Sequence, residues 1–406
     1  MPGESLIEIE VRTEVRTEAR SNGIWTPTLN HSPGSDTPNK VNYPSYVDNA
    51  QFVFKHDRTD LQLRFSSDWE RVEKSMCAPS SVCEIYFPSS LELQFDKELV
   101  NRLSKDLRAW QFFDLFNPSL SQLGIHWSRF CSVQSHLSYD RRVLLHHHLT
   151  WIFLMDGVSE MLPLYNLHAT AGKAYLDNLK SIMRDGPIED MSQFKGSCPD
   201  ELIQPALNAQ RIFAEDLMPL KRKLLSSCHL QACISTFDAY FDSQYEEGHK
   251  FCREQPSRDI LKTRVHTIGA FIPFILYMTS AQAEFYRIDD PYVLHMSLCI
   301  TFFNDMIGLY KDLDSLKAQD DGSVYLNLVR IKTREQGISE EDAFQFFTQR
   351  INNFSRYFEF LMSSHQHELQ DFYRSVLHYM FNMYDYHLVG AQGKVHCRYG
   401  WKQSHT

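Results

Sequence analysis

Late in the chain, apolar side chains recur with helical spacing over almost twenty residues. Steps of 3, 4, 3, 4 and 3 residues separate Phe344, Phe347, Ile351, Phe354, Phe358 and Leu361. Such spacing places all six on one face of an α-helix, and that face must be buried against other elements. Ser339 is a predicted N-cap, and the acids at 340–342 follow it where the helix dipole favours negative charge.

Further helical segments are predicted along most of the chain. The candidates are 141–160, Ala171–Met183, Leu202–Leu225, Leu230–Glu247 and Leu369–Leu388. No run of alternating apolar and polar residues indicates a strand beyond residue 91. We therefore expect an all-α fold, a single helical bundle over residues 91–406.

The first 90 residues are predicted to form an extension that is largely disordered or loosely packed. The stretch 11–49 is rich in Pro, Ser, Asn and Thr and offers little apolar surface to offset the entropy of ordering. Leu61, Leu63 and Phe65 alternate like a short strand, but nothing near them in the sequence supports a sheet.

Composition excludes several classes of protein. The net charge is −10 and no long basic face is visible, so we do not expect a nucleic-acid partner. The nine Cys are scattered without metal spacing, which indicates reduced thiols and a cytoplasmic protein. The acidic N-terminus lacks the apolar core of a signal peptide, and the longest uncharged apolar run, near Ile268–Met278, is too short for a transmembrane segment.

The stretch Thr301–Asp312 carries the sharpest chemical pattern. Asn304, Gly308 and Asp312 recur every four residues and share one face of a helix over two turns, whereas Asp305 lies a quarter turn away. Two oxygen ligands with a small residue between them can hold one hard cation such as Mg²⁺. The alternative for these residues alone is a solvated helix face.

A second acidic cluster follows the apolar run 149–155. Asp156 and Glu160 are also four residues apart and share a helix face. Two carboxylate-bearing helices that face each other across a bundle would form a site for several Mg²⁺ ions at the mouth of an apolar cavity. A diphosphate bound there also needs fixed donors, and the candidates are Arg264, Lys311 and Arg398.

These patterns occur in the order found in one known family. The segment Asp156–Glu160 resembles that family's aspartate-rich motif (DDxxD/E), and Asn304–Asp312 resembles its second metal motif (NDxxSxxKE). Arg264 matches the Arg that senses diphosphate, and Arg398-Tyr399 matches the Arg-Tyr pair of microbial members. Over about residues 95–401, the chain resembles the class I terpene synthases.

The resemblance is greatest to one branch of the family, and three positions of this chain differ from the family's motifs. The stretch Ser235–Phe241 looks most like the trichodiene synthase branch. Gly157 stands where the family's first motif has a second Asp, and Asp312 stands where its second motif ends in Glu. Gly308 replaces a Ser or Thr, so a water would have to fill that place in the metal shell.

What the resemblance implies is an enzyme, a carbon-oxygen lyase acting on phosphates. It would use three Mg²⁺ ions to ionise a prenyl diphosphate, most often farnesyl diphosphate in this branch, and cyclise it to a sesquiterpene. The implied metal positions are Asp156, Glu160, Asn304, Gly308 and Asp312. The implied diphosphate donors are Arg264, Lys311, Arg398 and Tyr399. The implied lining of a central apolar cavity includes Phe153, Phe302 and Phe303.

Other interpretations stay open at this stage. The departures favour, as an alternative, a non-catalytic prenyl-diphosphate binder, or an enzyme that couples a terpenyl cation to a second substrate. His146, His147 and His148 point about 100° apart on a helix and cannot all bind one metal ion. A chain-elongation enzyme would need a second Asp-rich motif where Asn304 stands. A homodimer is left open.

Overall fold

The computed structural model describes residues 41–42, 51–56, 59–77, 82–86, 94–95, 98–99, 101–103, 131, 137–164, 169–190, 200–250, 257–318, 323–364, 367–392 and 401–403. Helices dominate this part of the chain, which confirms the all-α prediction for the bundle.

Most of the long helices lie at the positions in the sequence that the periodicity predicts. The helices are α1 (Trp69–Met76), α2 (Tyr139–Leu164), α3 (Ala169–Met183), α4 (Asp200–Arg211), α5 (Met218–Leu224), α6 (Ser227–Lys250), α7 (Ser257–Thr267), α8 (Phe271–Tyr277), α9 (Ser280–Ala283), α10 (Pro291–Ala318), α11 (Leu328–Gln336), α12 (Glu340–Ser364) and α13 (His367–Gln392). A π-helical segment, Ile212–Leu217, joins α4 to α5, and a 3₁₀ turn, Ser323–Tyr325, precedes α11.

Helix α12 has the N-terminal boundary and the buried face that the sequence predicts. All six apolar positions from Phe344 to Leu361 are buried. Ser339 caps the helix, since its Oγ accepts from the Asp342 amide at 3.0 Å and its own amide donates to Asp342 Oδ2 at 3.3 Å. Gly337 ends α11 in the left-handed conformation with φ 64°, which glycine adopts without strain.

Helix α10 lies at the centre of the bundle and packs against α7, α11, α12 and α13. Phe303 is fully buried and stacks on Tyr384 of α13 with ring centroids 4.5 Å apart. Phe302 points to another side of α10 and packs on Phe347 of α12 at 4.8 Å. Because α10 is apolar around most of its circumference, it can pack against neighbours on several sides.

The apolar character of α10 also bears on membrane insertion. Pro291–Leu309 is the one segment of the described residues that is long and apolar enough to cross a bilayer. However, 67% of its most apolar window is buried within the protein, as expected for a helix at the core of a bundle.

A small sheet is the part of the fold that the sequence did not predict. The strands are β1 (Val41–Asn42), β2 (Gln51–His56), β3 (Thr59–Ser66), β4 (Val82–Tyr86), β5 (Gln94–Phe95) and β6 (Trp401–Gln403). Four of them form one sheet in the order β4-β3-β2-β6, and β1 pairs with β5. Strands β2 and β3 form a hairpin with His56 opposite Thr59, whereas β3 and β4 are parallel. The last strand, β6, comes from the C-terminal end of the chain.

Strands β3 and β4 pack on the bundle. Leu61, Leu63 and Phe65 are buried, as their alternation suggests, and Phe65 meets Phe303 of α10 edge to face at 6.3 Å. Asn352 of α12 donates to the Glu84 carbonyl at 2.7 Å. These strands are therefore packed on the bundle, while the loose packing of the extension as a whole and the boundary between residues 90 and 91 stay predictions.

Candidate active site

The three positions of the metal pattern, Asn304, Gly308 and Asp312, all lie in helix α10. Gly308 and Asp312 are buried and Asn304 is half-buried. A Cβ built on Gly308 would lie 3.8 Å from Asp312 Oδ2 and 4.0 Å from Oδ1, so the two positions adjoin. The Asn304 amide nitrogen donates to Asp305 Oδ1 at 3.5 Å, which leaves its amide oxygen for another partner.

Asn327 holds the carboxylate of Asp312 from outside the motif. Its Nδ2 donates to Asp312 Oδ2 at 2.8 Å and to the Asp305 carbonyl at 2.9 Å. Its Oδ1 accepts from the amides of Val329 and Arg330, so the same side chain is the N-cap of α11. Asn327 is 1% exposed and thereby ties the metal face of α10 to the start of α11.

Arg264 of α7 lies between two carboxylates from two other helices. Its Nη2 donates to Asp305 Oδ1 at 2.9 Å, and its Nη1 donates to Glu247 Oε1 at 3.3 Å. Burial by itself would lower the pKa of Arg264, but the charges of Asp305 and Glu247 outweigh it, and the pKa is raised. The guanidinium is therefore permanently charged and fixed in direction.

Asp305 has a function that its position off the ligand face did not suggest. Its Oδ1 binds Arg264, and its Oδ2 accepts from the Leu328 amide at 3.0 Å. It is 1% exposed. Asp305 thus joins α7, α10 and the first residue of α11 at one point.

Glu247 was also missed, although the sequence contains a signal for it. Glu246 and Glu247 lie in the last turn of α6, where the helix dipole disfavours negative charge. A buried acid at such a place needs a cation or a donor. Glu247 is 5% exposed and has Arg264 as that cation, while Glu246 accepts from the Thr263 hydroxyl at 3.3 Å.

The structure describes the side chains of only some of the predicted site residues. Asp156 and Glu160 lie in the C-terminal part of α2, but their side chains, and that of Phe153, lie outside the described residues. The same is true of the Lys311 side chain. Arg398 and Tyr399 lie outside the described residues altogether, and β6 begins two residues after Tyr399.

The described part of the site fits a hard divalent cation. It offers one amide and one carboxylate, and no group of three or more His, Cys, Asp or Glu suited to a metal occurs among the described residues. Both donors are oxygens, the ligands that Mg²⁺ prefers, and Mg²⁺ usually completes its shell with waters and phosphates. The space beside Gly308, which a side chain would fill, leaves room for such a water.

Comparisons with known proteins show the family to which this chain belongs. The family model described as "Terpene synthase family 2, C-terminal metal binding" matches residues 148–356, just over half of the chain. A curated relative, the (+)-bicyclogermacrene synthase TS4 of Penicillium expansum, is 48% identical over 358 residues, which cover 88% of this chain and 92% of the relative.

Solved structures share the fold at low sequence identity. The 2-methylisoborneol synthase from Streptomyces coelicolor A3(2) matches with a TM-score of 0.55 and 14% identity over 73% of this chain and 91% of that one. A variant of cucumene synthase matches with a TM-score of 0.50 and 11% identity over 74% and 98%. The trichodiene synthase branch stays a prediction, but the family match and the 48% relative together show that this chain belongs to the terpene synthases, family 2.

Proposed function

We propose that this protein ionises and cyclises an acyclic prenyl diphosphate, farnesyl diphosphate above all, to a sesquiterpene in a Mg²⁺-dependent reaction. The observation that carries the proposal is the fixed, permanently charged Arg264 beside the oxygen-bearing face of α10. The relative is named for bicyclogermacrene, a sesquiterpene. A structure of the 2-methylisoborneol synthase is described as a complex with Mg²⁺ and 2-fluoroneryl diphosphate.

In this proposal, Asn304 and Asp312 form one wall of the metal site, and Asp156 and Glu160 form the other. The number of ions, three, follows from the family resemblance. Bound Mg²⁺ supplies positive charge to the leaving diphosphate. Asn327 keeps the Asp312 carboxylate turned in one direction through its bond to Oδ2.

The protein's donors bind the diphosphate where charge develops. As the C1–O bond of the substrate breaks, its electron pair leaves with the diphosphate, and Arg264, Lys311, Arg398 and Tyr399 donate to the resulting oxyanions. Donors that are already oriented stabilise this charge without having to reorganise. Asp305 and Glu247 provide that orientation for Arg264.

The allyl cation then cyclises in a pocket that excludes water. Aromatic ring faces stabilise a nearby cation, and Phe153, Phe302 and Phe303 are the proposed contributors. The described contacts of Phe302 and Phe303 are with Phe347, Phe65 and Tyr384. Of the two, fully buried Phe303 is the better candidate, because Phe302 lies about 200° around the helix from Asn304.

The experiment is product analysis with three substrates. The protein is incubated with Mg²⁺ and geranyl, farnesyl or geranylgeranyl diphosphate, and volatile products are identified by gas chromatography and mass spectrometry. We expect cyclic fifteen-carbon hydrocarbons or alcohols from farnesyl diphosphate. Binding without turnover of any of the three would support the non-catalytic alternative, and products that form only with an added amine would support coupling to a second substrate.

A further inference from the structure

A pocket separate from the proposed active site lies on the side of α10 that faces away from Asn304. It is lined by residues of α7, α10, α11 and α12 and has a volume of about 750 Å³. Its floor and walls are largely apolar and include Leu298, Phe302, Phe347, Phe354 and Tyr357. Pockets that hold small ligands have about 300–1,000 Å³ and a mostly apolar lining with a few polar groups.

Three basic side chains line this apolar pocket: Lys262, Lys332 and Arg350. Lys332 is only 7% exposed, and its Nζ lies 3.6 Å from the centroid of the Phe346 ring. Arg350 lies over the same ring at 5.2 Å. Among the described residues, none of the three has a carboxylate within salt-bridge distance, and Glu335 is the only acid in the lining.

A buried ammonium without a carboxylate is costly unless something else neutralises it. Burial, and then the charge of Arg350, lowers the pKa of Lys332, while Glu335 raises it. The cation–π contact with Phe346 recovers part of this cost. An anion in the pocket would recover more, because it would meet Lys332 and Arg350 together.

We propose that this pocket binds an amphipathic anion, a single hydrocarbon or isoprenoid chain that ends in a phosphate, diphosphate or carboxylate. The chain lies against Leu298, Phe302 and Phe347, and the head group lies between Lys332 and Arg350. Two sources share this chemistry: the prenyl diphosphate substrate itself and a fatty acid or lipid phosphate.

The pocket is connected to the diphosphate site through three residues. Val265 lines the pocket and directly follows Arg264. Leu328 also lines it, while the Leu328 amide donates to Asp305 Oδ2 at 3.0 Å. Phe302 lines it from the helix that carries Asn304. An occupant would therefore contact Leu328, whose amide holds Asp305, and the residue next to Arg264. An effect of that contact on turnover, unlike binding, rests on the proposed function.

Binding is tested by isothermal titration calorimetry with dodecyl phosphate as the probe. EDTA is present, so that Mg²⁺-dependent binding at the catalytic face is abolished. We expect one site, at least tenfold weaker binding in Lys332→Met and Arg350→Gln, and unchanged binding in Lys223→Met, a control at an exposed lysine of α5. Uncharged dodecanol lacks the anionic head group, and inorganic diphosphate lacks the hydrocarbon chain. Each should therefore bind far more weakly than dodecyl phosphate.

Titration of farnesyl diphosphate and dodecanoate under the same conditions distinguishes the two sources. No binding of dodecyl phosphate to the wild type, or equal affinity in all variants, would overturn the proposal. If a second copy of the chain covers the pocket instead, light scattering would report a dimer that Lys332→Met weakens. That result would also count against the proposal. Arg350 is exposed, so its variant remains informative if Lys332→Met fails to fold.

The effect of an occupied pocket on turnover is measured separately. With farnesyl diphosphate and Mg²⁺, added dodecyl phosphate should change the KM of the wild type several-fold and leave that of Lys332→Met unchanged. If the protein shows no turnover at all, the proposed function fails while the calorimetric result stands by itself.

Discussion

At the residue scale, Gly308 is the position where a small change should strengthen the site. A Cβ there would contact nothing closer than 3.8 Å, so the first atom of a small side chain fits without moving a neighbour. Gly308→Ser should lower the Mg²⁺ concentration that gives half-maximal turnover, because its hydroxyl can replace a water. The free energy of unfolding should rise by a few tenths of a kcal/mol, since Ser is a better helix former than Gly.

The measurement is diphosphate release against Mg²⁺ concentration, with thermal unfolding in parallel. Gly308→Ala is the matched control, because it gives the same or a larger gain in helix propensity without an oxygen. If Gly308→Ser and Gly308→Ala have the same Mg²⁺ dependence, then Gly308 does not mark a missing ligand.

Asn327 should matter for the metal even though it lies outside the motif. Asn327→Ser keeps a good N-cap for α11 but cannot reach Asp312. We expect the half-saturating Mg²⁺ concentration to rise about tenfold and the free energy of unfolding to fall by about 1–3 kcal/mol, because the buried Asp312 carboxylate loses a hydrogen-bond donor. Asn353→Ser, at an exposed position of α12, is the control. An unaltered Mg²⁺ dependence would assign Asn327 a purely structural role.

The sequence predicts some residues of the site better than others, for a physical reason. Asn304 and Asp312 were predicted as ligands because ligands on one helix face have a fixed spacing, and both residues lie in α10. Asp305 and Asn327 were not, because their bonds join segments that the sequence separates. Asp305 meets Arg264 across 41 residues, and Asn327 meets Asp312 across 15.

At the element scale, the same contrast separates the helices from the sheet. Each helix face is encoded locally, so α12 and its cap at Ser339 follow from the sequence. The sheet depends on pairings that no local pattern reveals. Strand β3 pairs with β4 across an intervening helix, and β2 pairs with β6 from the far end of the chain.

The segment around β3 should behave as part of the core. Leu63 is fully buried, so Leu63→Ala should lower the free energy of unfolding by about 2–5 kcal/mol through the cavity it leaves. Gln62→Ala, on the opposite face of the strand, should cost less than about 0.5 kcal/mol. Chemical denaturation measures both. A cost under about 1 kcal/mol for Leu63→Ala would mean that the sheet is peripheral to folding.

At the scale of the whole molecule, a lysine buried in the bundle makes stability depend on pH. Lys221 is fully buried, has no hydrogen-bond partner among the described residues, and lies 4.2 Å from the Phe237 ring centroid. Burial lowers its pKa to about 7. His148 and Cys233 interact electrostatically with Lys221, and burial lowers the pKa of His148 and raises that of Cys233.

The sign follows from proton binding. Between the folded pKa of about 7 and the ordinary lysine pKa, the unfolded chain binds more protons, so stability rises with pH. From pH 7 to 8.5 the gain should be about 1–2 kcal/mol. Lys221→Met should remove this slope, and urea unfolding at several pH values measures it. A slope that persists in Lys221→Met would show that other groups cause it.

The central claim concerns how the whole bundle assembles a metal-dependent diphosphate site from distant segments. It is tested most directly by diphosphate release from farnesyl diphosphate, with and without Mg²⁺, in the wild type, Asn304→Ala and Asp156→Ala. We predict release that requires Mg²⁺ in the wild type and is abolished in both variants, while their helical circular dichroism is unchanged. Release without Mg²⁺, or retained activity in either variant, would contradict the claim.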